Sequence, residues 1–226
     1  MLFRSLAGGC ALNCVANDIA WIMFDNVWIF PNPGDAGSSV GAVLAHRKNK
    51  ITWEHCYWGY DIPGDYPITN TIEVLKKGLP VGVANGQAEF GPRALGNRSL
   101  LADPRSNDTK ERVNEIKRRQ KFRPFAPAIL EEHADEYFNM PADTSRFMQY
   151  ISVCNMPDLY PAIVHHDMTS RVQTVPNNGT GFRKLLEAWY EKTGCPMLLN
   201  TSLNIDRKST RLNSSHTDIS RMPSSA

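Results

Sequence analysis

Twice within the first fifty residues the sequence reads as a short apolar strand, a glycine turn and a helix. Leu2–Leu6 runs into Gly8-Gly9, and Leu12, Val15, Ile19 and Ile22 then repeat at a period near 3.6. Val27–Phe30 is a second apolar strand, stopped by Pro31 and Pro33. Gly34-Asp35-Ala36-Gly37-Ser38 next turns the chain into a helix over Ser39–Arg47. Strand, glycine turn and helix in that order belong to α/β folds, which bring phosphates to helix N-termini. Gly8 and Gly9 would let backbone approach a nucleotide phosphate with Asn13 and Asn17 close by, although a tight strand-to-helix turn needs glycine for its own sake.

Further along, Thr52–Ile68 is rich in aromatics, Gly and Pro without a sustained period, so a linker or domain crossing is expected near Asp61–Pro67. Asn70–Lys77 reads as a helix with an Asn70/Glu73 capping box and Gly78 as its stop. Val81–Ala84 is a short strand, and Ile129–Phe138 reads as a helix. Met148–Val153 and the alternating Ser170–Val175 are strand candidates. Phe182, Leu185, Leu186 and Trp189 mark an amphipathic helix closed by Gly194, and Met197–Leu199 a strand leading into Asn200-Thr201-Ser202.

With 226 residues, 42% of them hydrophobic and 21% charged, the chain has room for one large or two small globular domains. No apolar run approaches the roughly 20 residues of a membrane span. Met1–Leu6 lacks the apolar core of a signal peptide. Five cysteines without a CxxC pair fit free thiols in a reducing cytoplasm, the expected location.

Against a formal net charge of only +2, the segment Lys110–Arg123 carries seven cations (Lys110, Arg112, Lys117, Arg118, Arg119, Lys121 and Arg123) and two acids, Glu111 and Glu115. Asp108 and Glu111 form a second capping box, opening a basic helix expected to reach about Gln120. A solvated helix face accounts for such a run by itself. It does not account for Arg93 and Arg98, set among apolar residues beside the turns Gly91-Pro92 and Gly96-Asn97. Forked guanidiniums next to Gly and Ser suit phosphate or carboxylate oxygens, so an anion site is expected here. An RNA-binding module using Phe122 and Phe125 is the alternative, and the low net charge argues against nucleic acid as a partner.

The runs LAGGCALNCVAN, GDAGSSVGAV, AEFGPRALGNRSLLADPR, KFRPFAPAIL, TSRVQTV and GCPMLLNTSLN, in that order, resemble the ATP-dependent O-carbamoyltransferases of antibiotic and nodulation-factor biosynthesis. The resemblance implies an α/β chain. Residues 1–60 would be the C-terminal piece of an actin-like ATPase-type carbamoyl-transfer domain. Residues 61–205 would form a smaller carbamoyl-adenylate-forming domain of the threonylcarbamoyl-adenylate synthase type. Residues 206–226, Ser/Arg-rich and without an apolar face, read as a disordered, non-native tail, and the whole as a fragment of a longer enzyme whose activity alone is in question.

By the same resemblance, the partners are carbamoyl phosphate, ATP with Mg2+, and a small-molecule hydroxyl acceptor; no membrane is implied. Lys117, Arg123 and Arg171 are the implied catalytic cations. Arg93, Arg98, Ser99, Asn200 and Ser202 would hold ATP or carbamoyl phosphate, and Gly8, Gly9 and Asn13 a nucleotide. Asp35 matches a carboxylate ligand of the metal, Fe2+ or another divalent ion, in the full-length transfer domain. Its histidine partners lie upstream of this sequence. His165-His166-Asp167 is not expected to bind metal, since adjacent side chains on an extended segment face opposite ways. An inert truncated piece is the remaining alternative.

Overall fold

The computed structural model describes residues 8–48 and 50–204. The expected strand Leu2–Leu6 and the Ser/Arg-rich tail lie outside the described residues. After a 3-10 turn at Gly8–Leu12 the chain enters α1 (Cys14–Met23), where the Asn13 side chain accepts the Ala16 N–H at 3.3 Å as N-cap. The apolar row expected of this helix is present but faces outward. Val15, Ile19 and Ile22 are exposed, and Asn17 is the buried position. Asn17 earns that place by donating its amide to Ala11 O and to Gln149 O, at 3.1 and 3.0 Å. Val27–Phe30 is extended but is not a strand, because no segment among the described residues pairs with it. The Gln149 amide holds it instead, donating to Ile29 O at 3.0 Å. The 3-10 turn Asp35–Gly37 then leads into α2 (Ser38–Arg47) as expected.

The aromatic stretch expected as linker contains β1 (Tyr57–Ile62), whose tyrosine and tryptophan favour extended backbone. After α3 (Ile68–Lys76) come β2 (Val81–Ala84), β3 (Gly86–Glu89) and β4 (Arg98–Ala102). Next are α4 (Asn107–Ile116), β5 (Ala126–Leu130), the short α5 (Ala134–Tyr137), β6 (Phe138–Asn139) and β7 (Ser152–Cys154). The chain closes with β8 (Thr169–Ser170), β9 (Gln173–Val175), α6 (Gly181–Thr193) and β10 (Met197–Ser202). The central sheet has the order β2-β4-β10-β5-β9, antiparallel except for the parallel β5–β9 pair. β1 and β3 form a two-stranded ribbon, and β6, β7 and β8 a small third sheet. A mixed α/β architecture results.

Helix α6 supplies Phe182, Leu185, Leu186 and Trp189, all buried in the main core, where the helix meets β5 and β10 of the central sheet. Burying a side chain of this size stabilises by about 1.5–3 kcal/mol. Gly194 at φ +68° ends the helix in the left-handed conformation. Two expected elements change character. Ile129–Phe138 is not one helix: Ala126–Leu130 is a wholly apolar run that the sheet recruits between β10 and β9, leaving a 3-10 turn at Glu131–His133 and the short α5. The basic helix stops at Ile116, with Lys117 as C-cap and Arg118 at φ +51°. The cause is Asn114, whose buried amide donates to Lys121 O and Arg123 O at 3.1 and 2.8 Å and folds the cationic run back on itself.

Asp18 sits where α1 meets the segment around Ile151, accepting the Ile151 N–H at 3.4 Å. Burial lifts its pKa to about 6 from the ordinary 3.8, with that hydrogen bond opposing the rise. The folded chain therefore keeps a proton that the unfolded chain releases between pH 3.8 and about 6. This group's destabilisation is absent below that window and complete above it. Asp18→Asn keeps the acceptor oxygen and removes the charge. It is expected to stabilise by about 1 kcal/mol near pH 7.5, after discounting for solvent screening, and hardly at all near pH 4. Thermal melts at both pH values check this; equal gains would exclude a buried charge as the cause.

Candidate functional site

The centre of the sheet carries polar groups on one face. The register pairs Ser202 with Ser99 and Asn200 with Leu101 and Ala126, and Ala128 with Gln173, so Ser99, Asn200, Ser202 and Gln173 point the same way. The sequence placed Asn200 and Ser202 just beyond a strand end; they lie within β10 itself. Asn200 is buried and donates its amide to Gln173 Oε1 at 2.7 Å and to Ala94 O at 3.0 Å, while its own carbonyl oxygen is buried without a partner. Ser99 Oγ accepts the Gly96 N–H at 3.0 Å.

Cations flank this face in two groups. In one, Lys117 has no exposed surface, and its ammonium donates to Ser202 O at 2.5 Å and to Asn204 Oδ1 and O at 2.7 and 3.1 Å, with Ser202 Oγ at 3.3 Å. Burial, and then the charge of Arg119, pull its pKa down to about 8. Arg119 is itself lowered by burial and by Arg123, and its Nε is buried without a hydrogen-bond partner. Arg123 is exposed beside the exposed Phe122, at the rim of the group.

In the other group, burial and the neighbouring Arg171 lower Arg93 to about 10. Arg171 Nε is buried without a partner. His165 lies within the field of Arg171 and Lys110; burial lowers its pKa most, Asp167 opposes, and the two cations add to the lowering. Two guanidiniums within reach of each other's charge, with no acid ion-paired to either among the described residues, make an anion-seeking arrangement. Arg183 shows the contrast: buried, but satisfied by Glu132 and Glu187, it is a structural ion pair.

Arg98 serves the loop. Its guanidinium donates to the carbonyls of Asn85, Asn97, Tyr60 and Gly86 at 2.7–3.0 Å, stitching the β1–β3 ribbon to the arginine loop. Gly8, Gly9 and Asn13 stand at the start of α1, with open space where a Cβ would be at either glycine. Asp35 is exposed at the turn before α2, and its carbonyl accepts the Ser38 N–H. Among the described residues no three His, Cys, Asp or Glu side chains converge on a common point. The cysteines are free thiols, and no described helix is long and apolar enough to cross a membrane.

Three residues of the constellation escaped the sequence reading: Asn204, which shares Lys117 with Ser202, and Glu89 and Gln173. Asn204 stands in the LNTSLN run, two residues after Ser202, and that spacing was its one visible signal.

Lys117's buried charge has a measurable consequence. Between about pH 8 and 10.5 the unfolded chain holds a proton that the folded chain has released, so folding stability rises with pH across that window. Lys117→Met abolishes this rise. The gap in melting temperature between wild type and variant is expected to change from about pH 7.5 to about pH 9.5 in favour of wild type; a constant gap would contradict it.

The carbamoyltransferase C-terminus family model matches residues 72–221 and the N-terminus model residues 4–44, and the chain belongs to that family. Nodulation protein NolNO of Sinorhizobium fredii is 35% identical over 88% of this chain and 34% of its own length. Nodulation protein NolO of Bradyrhizobium diazoefficiens is 34% identical over 88% of this chain and 42% of its own. Nodulation protein U of the same organism is 35% identical, over 88% and 38%. The chain thus spans about a third to two fifths of the length of these curated relatives.

Proposed function

We propose that this chain contributes the carbamoyl-adenylate-forming part of an ATP-dependent O-carbamoyltransferase, with the threonylcarbamoyl-adenylate synthase type of domain beginning near residue 61. The observation that carries this reading is the Arg93–Arg171 pair, in which the charge of Arg171 acts on Arg93 and the Arg171 Nε is buried without a partner among the described residues. Activation of a carbamoyl group brings a triphosphate and an acyl phosphate together. Water cleaves carbamoyl phosphate to carbamate and phosphate; the carbamate oxygen then attacks the α-phosphorus of ATP, and pyrophosphate leaves. Four anionic groups gather and charge develops on the pyrophosphate, so fixed cations are the main catalytic need and no protein nucleophile is required.

In this scheme Arg93 and Arg171 neutralise one anion. Lys117 with Ser202 and Asn204, helped by Arg119 and Arg123, neutralises the other. Mg2+ would enter with ATP and screen its phosphates. The carbamoyl group would pass afterwards to a hydroxyl of a small acceptor in the transfer domain, whose iron or other divalent ion Asp35 would help to hold. The test is pyrophosphate release from ATP on adding carbamoyl phosphate, with ATP binding to the chain measured alongside. Release that does not depend on carbamoyl phosphate, or no ATP binding, would sink the proposal.

A further inference from the structure

We propose that Glu89 and Gln173 are positioning residues that clamp the arginine loop from opposite sides and so hold Arg93 beside Arg171. This rests on the anion-site reading above, since the clamp matters only if that pair binds a ligand. Neighbouring guanidiniums repel each other, and a loop entered through Gly91 at φ +156° and left through Gly96 at φ +120° has backbone freedom to move apart. Something must hold it, and no acid is ion-paired to Arg93 among the described residues.

Hydrogen bonds to the peptide groups that follow Arg93 do so. Buried Glu89 turns Oε1 into the loop and accepts the N–H groups of Leu95, Asn97 and Arg98 at 2.7, 2.9 and 3.3 Å. From the other side, Gln173 Nε2 donates to Leu95 O at 3.3 Å, a carbonyl also reached by the Tyr57 hydroxyl at 3.1 Å. Gln173 Oε1 accepts from Asn200, whose amide holds Ala94 O. The peptides flanking Ala94 and Leu95 are thereby fixed at both ends. Gln173 stands two residues after Arg171, so one short segment carries both the second arginine and the clamp on the first.

The experiment compares Gln173→Met and Glu89→Ala with wild type by trypsin cleavage after Arg93 and by ATP affinity, alone and combined with Arg93→Ala. Expected are about 10-fold faster cleavage at Arg93 with cleavage at exposed Arg112 unchanged, and about 10-fold weaker ATP binding. Neither substitution should weaken binding further once Arg93 is gone, because both act through it. Glu89→Gln, which keeps the accepting oxygen, should restore affinity to within about threefold of wild type. Unchanged cleavage at Arg93 overturns the clamp, and losses that add in full to that of Arg93→Ala overturn its positioning role. If wild type binds no ATP, the anion-site reading falls, and the trypsin comparison alone decides whether the clamp exists.

Discussion

Arg171→Ala is expected to lower the proposed carbamoyl phosphate-dependent pyrophosphate release by about 100- to 1,000-fold, the range found when one preorganised donor to a developing charge is lost. The size follows from burial. Arg171 Nε is buried and has no hydrogen-bond partner among the described residues, and in the proposed site a ligand anion would take that donor without competition from solvent. Arg171→Lys should recover little, because an ammonium cannot supply the planar fork. Arg123→Ala should cost less, about 10-fold, because Arg123 is exposed and water screens its charge. Pyrophosphate release by the three variants, with melting temperature as the control for folding, checks the ranking. If Arg123→Ala were the more damaging, the catalytic centre would lie at the rim around Phe122 and not at the Arg93–Arg171 pair.

The ranking also marks what the sequence could and could not show. Residue type and spacing pointed to Arg93, because charge set among apolar and glycine residues is visible without a fold, whereas Lys117 and Arg171 were singled out by the family resemblance. Helix α6 and its Gly194 stop were equally plain, since local period and cap geometry agree there with burial. Arg98 looked like a twin of Arg93 in the same motif, yet four carbonyls take up its guanidinium. That difference depends on where Tyr60 and Gly86 arrive in space, which no local pattern encodes. Glu89 was hidden for the same reason: a carboxylate that templates backbone N–H groups looks in sequence like any surface acid. The helix expected over Ile129–Phe138 failed because its apolar run is short. In such runs strand and helix are separable only by the neighbours that pair with them.

The apolar row on α1 is another such case. Its period was read correctly as helical, but the partner for Val15, Ile19 and Ile22 was assumed. An amphipathic pattern states that a face is suited to burial, not what covers it. In this chain, the face that docks α1 onto residues 149–151 mixes polar and aromatic contacts: Asn17 reaches Gln149 O, Asp18 reaches the Ile151 N–H, and Trp21 packs edge-on against Tyr150. Arg93 borders a small cavity on that same seam with Asn17, Phe30 and Met148.

Gly96→Ala is expected to be strongly destabilising, costing about 4 kcal/mol against a typical domain stability of 5–15 kcal/mol. Two effects add. Gly96 sits at φ +120°, a backbone region that residues with a Cβ rarely enter. The new Cβ would also lie 2.3–2.7 Å from the Cγ, Cδ1 and Cβ of Phe182, a buried residue in the first turn of α6 that cannot swing away. Relaxing the clash by moving the loop would break the Tyr66 hydroxyl bond to Gly96 O at 2.7 Å and the Gly96 N–H bond to Ser99 Oγ at 3.0 Å. Gly194→Ala separates the two effects, because Gly194 has φ +68° but nothing within 4 Å of a Cβ. It should cost about 1–2 kcal/mol, the backbone share alone. Denaturant midpoints of the two variants, read against Gly96→Ala/Phe182→Leu, test the division: partial recovery in the double variant is expected, and a Gly96→Ala midpoint equal to that of Gly194→Ala would mean the loop yields freely and is no rigid mount for Arg93.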